Sequence, residues 1–538
     1  MPDCFTPPNV AAGSEASPRF SPIMRQVKRL AYQALAKLTG QRIWPIGCAG
    51  KSGEKVHRTP SRPRAREHRP AADGAGRAAV AARRGFAEAG RIRQRVARAF
   101  FPADQTAIPG WVLAVITVGC AALALARLGS LGMNTLWAED GQVFYQGALN
   151  HPLHAFFEPY RGYWQITSRL VAAVVALFPV SQVAAATAVA DAIMMGLFAA
   201  LVYRACGEHI RNPWLRAVPA IVTAVCPVGQ DTWGSITNLL WPMFFVAFVV
   251  LLWNPRRPVP IAVGATTVVL LALTSPFGLL LAPLAVVRVI ALGRDRGSLI
   301  PLAFLGGVAG QSVYMAIAGG RQVSSAILPG LIERRYINFV AGQGFFGARY
   351  PLPFQPLGNA VMIALLAALV LVAASGRLRP FAIAALALAY STVYFAVLLV
   401  LTVDASRAVL IKYPARFNMG SLLLLAYAVA VLLDAGLRGG TGWWAGRIRT
   451  AAQRRLAGLP RFAALALCAV LVGCLAWSVT TTWNLGYPRR QSPTWSAALA
   501  NARAECGQGA RTVQVPITPA PTHQNWHVTL TCAQLGPG

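Results

Sequence analysis

Acidic residues are scarce in this chain. Only 18 of its 538 residues are Asp or Glu, against 50 Lys or Arg, and charged residues make up 13% of the whole. A soluble domain carries about 25% charged residues, so an ordinary soluble enzyme is excluded. Disorder over most of the length is excluded too, because 55% of the residues are hydrophobic and the mean hydropathy is +0.49. The nine cysteines form no C-x-x-C pair and no zinc-ligand spacing. No Walker A sequence occurs, which removes ATP-driven transport within this chain. No G-x-S-x-G elbow supports Ser-His-Asp hydrolysis.

The formal charge of +32 invites a nucleic-acid reading. Position argues against it. Residues 1–100 hold 20 of the 50 basic residues, and most of the rest border apolar stretches. That is the positive-inside pattern of a multi-pass protein of the bacterial cytoplasmic membrane. Anionic membrane lipid, not nucleic acid, is the expected partner of the basic segments.

About 20 apolar residues cross a bilayer. On that scale the expected fold is all-α and polytopic, with about eleven transmembrane helices near 110–128, 182–204, 215–228, 238–253, 259–274, 277–293, 299–318, 357–375, 380–402, 417–436 and 461–482. Residues 1–109 read as a basic, disordered cytoplasmic tail, with basic surface helices over 25–45 and 77–101 as the other reading. Residues 110–482 form the membrane domain, and 483–538 a small extracytoplasmic segment. With the N-terminus inside, Arg204, Arg211, Arg216, Arg256, Arg257, Arg294, Arg296, Arg377 and Arg379 fall in inner loops. The long segments 129–181, 319–356 and 403–416 then lie outside with the C-terminus. Counting 166–178 as a span would invert every later loop, so it reads as an amphipathic helix on the outer surface, ended by Pro179. In the C-terminal segment, residues 513–517 and 526–532 carry β-forming residues and predict a small outer hairpin. If that segment is outside, Cys506 and Cys532 can pair as a disulfide.

Seven of the eleven acidic residues beyond position 109 fall on the expected outer face. They are Glu139, Asp140, Glu158, Asp231, Glu333, Asp404 and Glu505. The densest group is Trp137-Ala138-Glu139-Asp140-Gly141, followed by Tyr145, His151, His154, Glu158, Tyr160, Arg161 and Trp164. Adjacent carboxylates beyond a membrane span can supply a general base or hold a divalent cation. Trp137 and its aromatic neighbours suit a sugar ring. His151 and His154 have a spacing that could ligate a metal, but Pro152 lies between them and no third ligand is marked, so no metal site is expected. Asp191 lies mid-span, where an ionisable group is costly; a contact with a neighbouring helix accounts for it, and a transport pathway is the alternative.

An acidic pair in the first outer loop, then a surface helix and further spans, resembles the GT-C superfamily of polytopic glycosyltransferases. The resemblance also draws on Val228-Gly229-Gln230-Asp231-Thr232-Trp233 after the third span and on Tyr413-Pro414-Ala415-Arg416-Phe417 at the start of a late one. It covers roughly 110–482. It departs in having Glu-Asp-Gly where many members carry Asp-Glu or Asp-x-Asp, which leaves open which carboxylate is the base. The resemblance implies transfer of a sugar from a polyprenyl-phosphate donor to a glycan, lipid-linked or protein acceptor on the outer face. Glu139 or Asp140 would act as base. Arg407, Lys412 and Arg416 would hold the donor phosphate, and Asp231 could bind acceptor hydroxyls. Transport or flipping of a lipid-linked sugar, and a non-catalytic membrane scaffold, are the alternatives.

Overall fold

Long apolar helices account for most of the chain. The computed structural model describes residues 87–104, 107–230, 232–319, 329–347, 354–402, 415–438, 451–483, 489–519 and 526–536. Among them, seven helices are long and apolar enough to cross a membrane: Gly110–Met133, Val180–Glu208, Arg296–Ile317, Gln355–Ala374, Leu378–Leu401, Ala415–Leu437 and Phe462–Thr481. Their outward sides carry exposed Val115, Val118, Ile193, Leu302, Val313, Ile363, Val370 and Val470. Apolar surface this extensive is untenable in water and matches lipid. The chain is a multi-pass membrane protein.

The other four expected spans are short apolar helices, about as long as the runs that mark them in the sequence. They correspond to Pro213–Val225, Ile236–Leu252, Pro258–Thr274 and Pro276–Leu292, none reaching 18 residues. Proline sets these lengths, standing at the first position of three and inside the fourth at Pro242. A helix enclosed by protein need not match the bilayer, because its irregular ends are satisfied by neighbours. All thirteen residues of Leu240–Leu252 are buried, as are Met419 to Gly436 in the helix Met419–Leu437. These two form the centre of the bundle. Arg288 caps the first of them, donating to Val250 O and Leu251 O at 3.0 and 2.9 Å, where a cation complements the carbonyl end. The segment 166–178 holds one ten-residue helix, Ile166–Val175, too short to span.

At the end expected to be cytoplasmic, acids pair with arginines. Asp104 pairs with Arg204, Asp295 with Arg256, and Asp434 with Arg438. Asp434 also accepts from the backbone N–H groups of Arg211 and Asn212. Part of the expected disordered tail is ordered: residues 87–100 are helical, Phe101 is buried, and Asp104 N donates to Asn254 O at 2.9 Å. Residues 1–86 lie outside the described residues.

The other end carries a small cap. Strands β1 (Thr512–Pro516) and β2 (His527–Thr531) pair antiparallel, with Val513 opposite Leu530 and Val515 opposite Val528. Those four side chains are buried and their neighbours are exposed, or nearly so, as the two-residue period of a strand requires. The helix Trp495–Gly507 packs on the sheet, and Cys506 is disulfide-bonded to Cys532. Closing a loop of this length is worth about 2–4 kcal/mol. Replacing both cysteines with Ser should therefore lower the melting temperature of the cap and expose it to protease, leaving the helical bundle intact; limited proteolysis with mass mapping reads the difference.

Candidate active site

The loop after the first helix is held by that cap. Ala138 N donates to Thr518 O at 2.6 Å and Thr518 N to Leu136 O at 2.9 Å, so residues 136–138 lie strand-like against the C-terminal segment. Gln142 and Gln146 accept from the backbone N–H groups of His527 and Thr529. At Asp140 the chain enters a π-helical turn, Asp140–Tyr145, a form that recurs at functional sites.

Helical backbone separates the two adjacent carboxylates, since successive side chains are turned by about 100° around the axis. Glu139 faces a cavity of about 240 Å³. Asp140 faces the protein and is 1% exposed. Its Oδ1 accepts from Thr237 N at 2.8 Å and from Thr237 Oγ1, while Oδ2 is buried without a hydrogen-bond partner. Burial pushes its carboxyl up to about 6, opposed by the Thr237 hydrogen bonds and assisted by the Glu139 charge.

Glu139 Oε1 accepts from Tyr160 Oη at 3.1 Å and lies 3.9 Å from Arg161 Nη2. Oε2 accepts no hydrogen bond from any described residue. Burial and the Glu139 charge hold the Tyr160 phenol well above its ordinary range, so it stays a donor. Tyr160 and Tyr163 exchange backbone hydrogen bonds at 3.0 and 3.1 Å around Arg161 and Gly162. Those two central residues have φ of 52° and 83°, a two-residue turn with both residues left-handed. Glycine adopts that freely. Arginine does not, and the cost of order 1 kcal/mol is borne where its guanidinium reaches the cavity.

Every other wall of the cavity comes from a helix end on this same side. Asn238, Leu240 and Trp241 open one helix, Pro276 and Phe277 another, Met315 and Leu401 close two more, and Arg416 with Phe417 begins the late buried one. The Arg416 guanidinium carbon stands 5.4 Å from the Phe417 ring and 5.9 Å from that of Trp137. The cavity thus joins one carboxylate and two guanidinium groups to an apolar, aromatic wall.

The residues singled out in the sequence fall into three groups. Glu139, Arg161 and Arg416 meet at the cavity, with Trp137 behind Arg416. Asp140 is close by but serves the wall. Asp231, Asp404, Arg407 and Lys412 lie outside the described residues. Asp191 accepts from Gly234 N at 2.7 Å, so Asp140 and Asp191 clamp the segment 234–237 from two sides. His154 pairs with Glu158, whose carbonyl accepts from Arg169 at 2.7 Å. No group of three His, Cys, Asp or Glu suited to a metal occurs among the described residues. The glycine spacing at Gly342, Gly344 and Gly347 matches a dinucleotide loop, but it follows a π-helical turn, not a strand. Thr237, Tyr163, Phe277 and Met315 went unmarked in the sequence, being ordinary residues in apolar or turn contexts. Arg489 also went unmarked, although an Arg-Arg pair on the side expected to be outside, where basic residues are disfavoured, was a readable signal.

Comparison with protein-family models, with curated proteins and with solved structures finds no match to this chain.

Proposed function

We propose that the chain is a glycosyltransferase of the GT-C kind, moving a sugar from a polyprenyl-phosphate donor to a cell-envelope glycan, a lipid-linked glycan or a protein. The observation that carries this reading is the joint presence of Glu139, Arg161 and Arg416 on a cavity otherwise lined by Leu240, Trp241, Phe277, Met315, Leu401 and Phe417. A prenyl chain needs the apolar wall. Its phosphate needs the guanidinium forks. The acceptor needs a base.

Glu139 takes the proton of the acceptor hydroxyl as that oxygen attacks the anomeric carbon of the donor. The bond from this carbon to the phosphate oxygen breaks, and the prenyl phosphate leaves with both electrons. Arg161 and Arg416 stabilise the charge it gains. Tyr160 holds one Glu139 oxygen, leaving the other for the proton. Asp140 positions the wall through Thr237. Asp191, on which transport would depend, does not line the cavity.

The site belongs on the outer face of the cytoplasmic membrane. Its loop shares a side with the Cys506–Cys532 disulfide, and disulfides persist in oxidising compartments. The short loops at the opposite end carry the arginines. A topology reporter fused at residue 538 is expected to read outside and one near 445 inside; reversed readings would remove the outward site. The direct test incubates the purified chain with radiolabelled polyprenyl-phosphate sugars and a cell-envelope acceptor fraction. Label passing to acceptor with release of polyprenyl phosphate is expected. Label moving across vesicles without a new glycosidic bond would favour a flippase.

A further inference from the structure

A third arginine near the Glu139 loop does not line its cavity. Arg489 opens the short helical turn Arg489–Gln491 that leads into the cap, and it is only 4% exposed. Its Nη1 donates to Thr135 O at 3.0 Å, to Thr135 Oγ1 at 2.9 Å and to Gly132 O at 3.4 Å. Its Nη2 donates to Trp233 O at 2.9 Å and to Gly234 O at 3.0 Å. One side chain therefore ties two segments that are distant in sequence.

Both segments lead into the cavity. Thr135 stands four residues before Glu139, and Gly234 stands three before Thr237 and four before Asn238. Gly234 has φ of 67°, and a Cβ there would lie 2.7 Å from a Leu128 methyl group and 3.4 Å from Arg489 Nη2. Glycine thus lets the backbone approach the guanidinium. Asp191 holds the same residue through Gly234 N, and Asp140 holds Thr237 N. The Arg489 charge acts on both carboxyl groups, so the two acids that clamp 234–237 share one buried cation.

The chain just beyond Arg489 reinforces the grip. Trp495 N donates to Asn134 O at 2.7 Å, Ser496 N to Asn134 Oδ1 at 3.1 Å, and Asn134 Nδ2 to Ser496 Oγ at 2.8 Å. A guanidinium is planar and presents its donors in a rigid fork. That shape sets how far apart its acceptors stand, which a lysine ammonium, a single point of charge, does not.

We infer that Arg489 is a positioning residue for the proposed transfer: it fixes the end of the helix Gly110–Met133 against residues 233–234 and so sets where Glu139 stands relative to the wall formed by Thr237 and Asn238. This rests on the reading of Glu139 as the base. Arg489 touches no substrate, and its effect passes through Glu139. A misplacement of about 1 Å can cost about 10²-fold in rate, so losing the tie lowers turnover without loosening the donor.

The test uses the full chain in nanodiscs with a radiolabelled polyprenyl-phosphate sugar and acceptor, and counts donor-competent molecules by titration with free polyprenyl phosphate. Arg489→Gln is expected to lower kcat per competent molecule about a hundredfold, with KM for the donor within about threefold of wild type. Arg489→Lys keeps the charge but loses the fork, and should fall nearly as far. The deciding comparison is made in Glu139→Gln. Once the base is gone its position no longer matters, so Arg489→Gln should add nothing to that loss. A merely structural role would lower the double variant further. If Arg489→Gln does not fold, Thr135→Val, which removes one acceptor, should lower kcat several-fold and also add nothing to Glu139→Gln. A wild type that transfers no sugar would overturn the Glu139 reading and this inference with it. A wild type that transfers sugar, with the folded variant at full kcat or additive to Glu139→Gln, would overturn this inference alone.

Discussion

Glu139→Gln is expected to lower sugar transfer by about 10²–10⁴-fold, the usual worth of a positioned general base, with membrane insertion and melting temperature unchanged. Asp140→Asn is expected to keep most of the activity. The reason lies in where each carboxylate points. Glu139 lines the cavity and keeps Oε2 clear of hydrogen bonds from described residues. Asp140 Oδ1 is engaged by Thr237, an interaction that an amide oxygen also accepts. Asp140→Ala should cost more than Asp140→Asn, because it releases Thr237 and leaves its buried N–H unsatisfied. Equal loss in Glu139→Gln and Asp140→Asn, at equal protein level, would refute the division of roles.

The same pair sets a pH effect. The Asp140 carboxyl sits at about 6 in the folded chain, against an ordinary 3.8. The folded state therefore holds a proton that the unfolded state has lost, and stability falls as pH rises from about 4 to about 6. Asp140→Asn should abolish that fall. Melting temperatures of both proteins across this window provide the check, and the curves should differ most near its upper end.

The second large effect belongs to the cavity's cations. Arg416→Gln is expected to raise the KM for a polyprenyl-phosphate sugar by about ten- to a hundredfold, the range of one charge-assisted hydrogen bond. Arg161→Asn should do likewise while preserving the turn, since Asn tolerates the left-handed conformation that position 161 requires. Free polyprenyl phosphate should lose inhibitory strength in parallel with the rise in KM. A drop in kcat with KM and inhibition unchanged would place these arginines outside phosphate binding. The double variant is the more searching case. Both guanidinium groups line one cavity, so their effects should fail to add if they grip the same phosphate.

Much of this was legible in the linear chain, and for identifiable reasons. Long apolar runs between basic turns can only be membrane helices, and alternating valines at 513 and 515 can only be a strand with one buried face. Glu139 and Arg416 stood out because a charge beside a membrane span is rare enough to mark itself. Hydropathy alone does not say whether lipid or protein surrounds a run: Leu240–Leu252 is as apolar as any span, yet all of it is enclosed by protein. Nor did adjacency separate Glu139 from Asp140.

The sequence by itself determined a multi-pass helical membrane protein with a small β-containing cap, because hydropathy and period are properties of consecutive residues. Only the tertiary structure decided that Arg161, 22 residues beyond Glu139, and Arg416, hundreds further on, share one cavity with it. It alone turned Asp140 inward onto Thr237 and brought Arg489 onto the carbonyl groups of both Thr135 and Gly234. Those outcomes depend on which helix ends meet on one side and which way a side chain turns about its axis, and such distances through space are not written in distances along the chain.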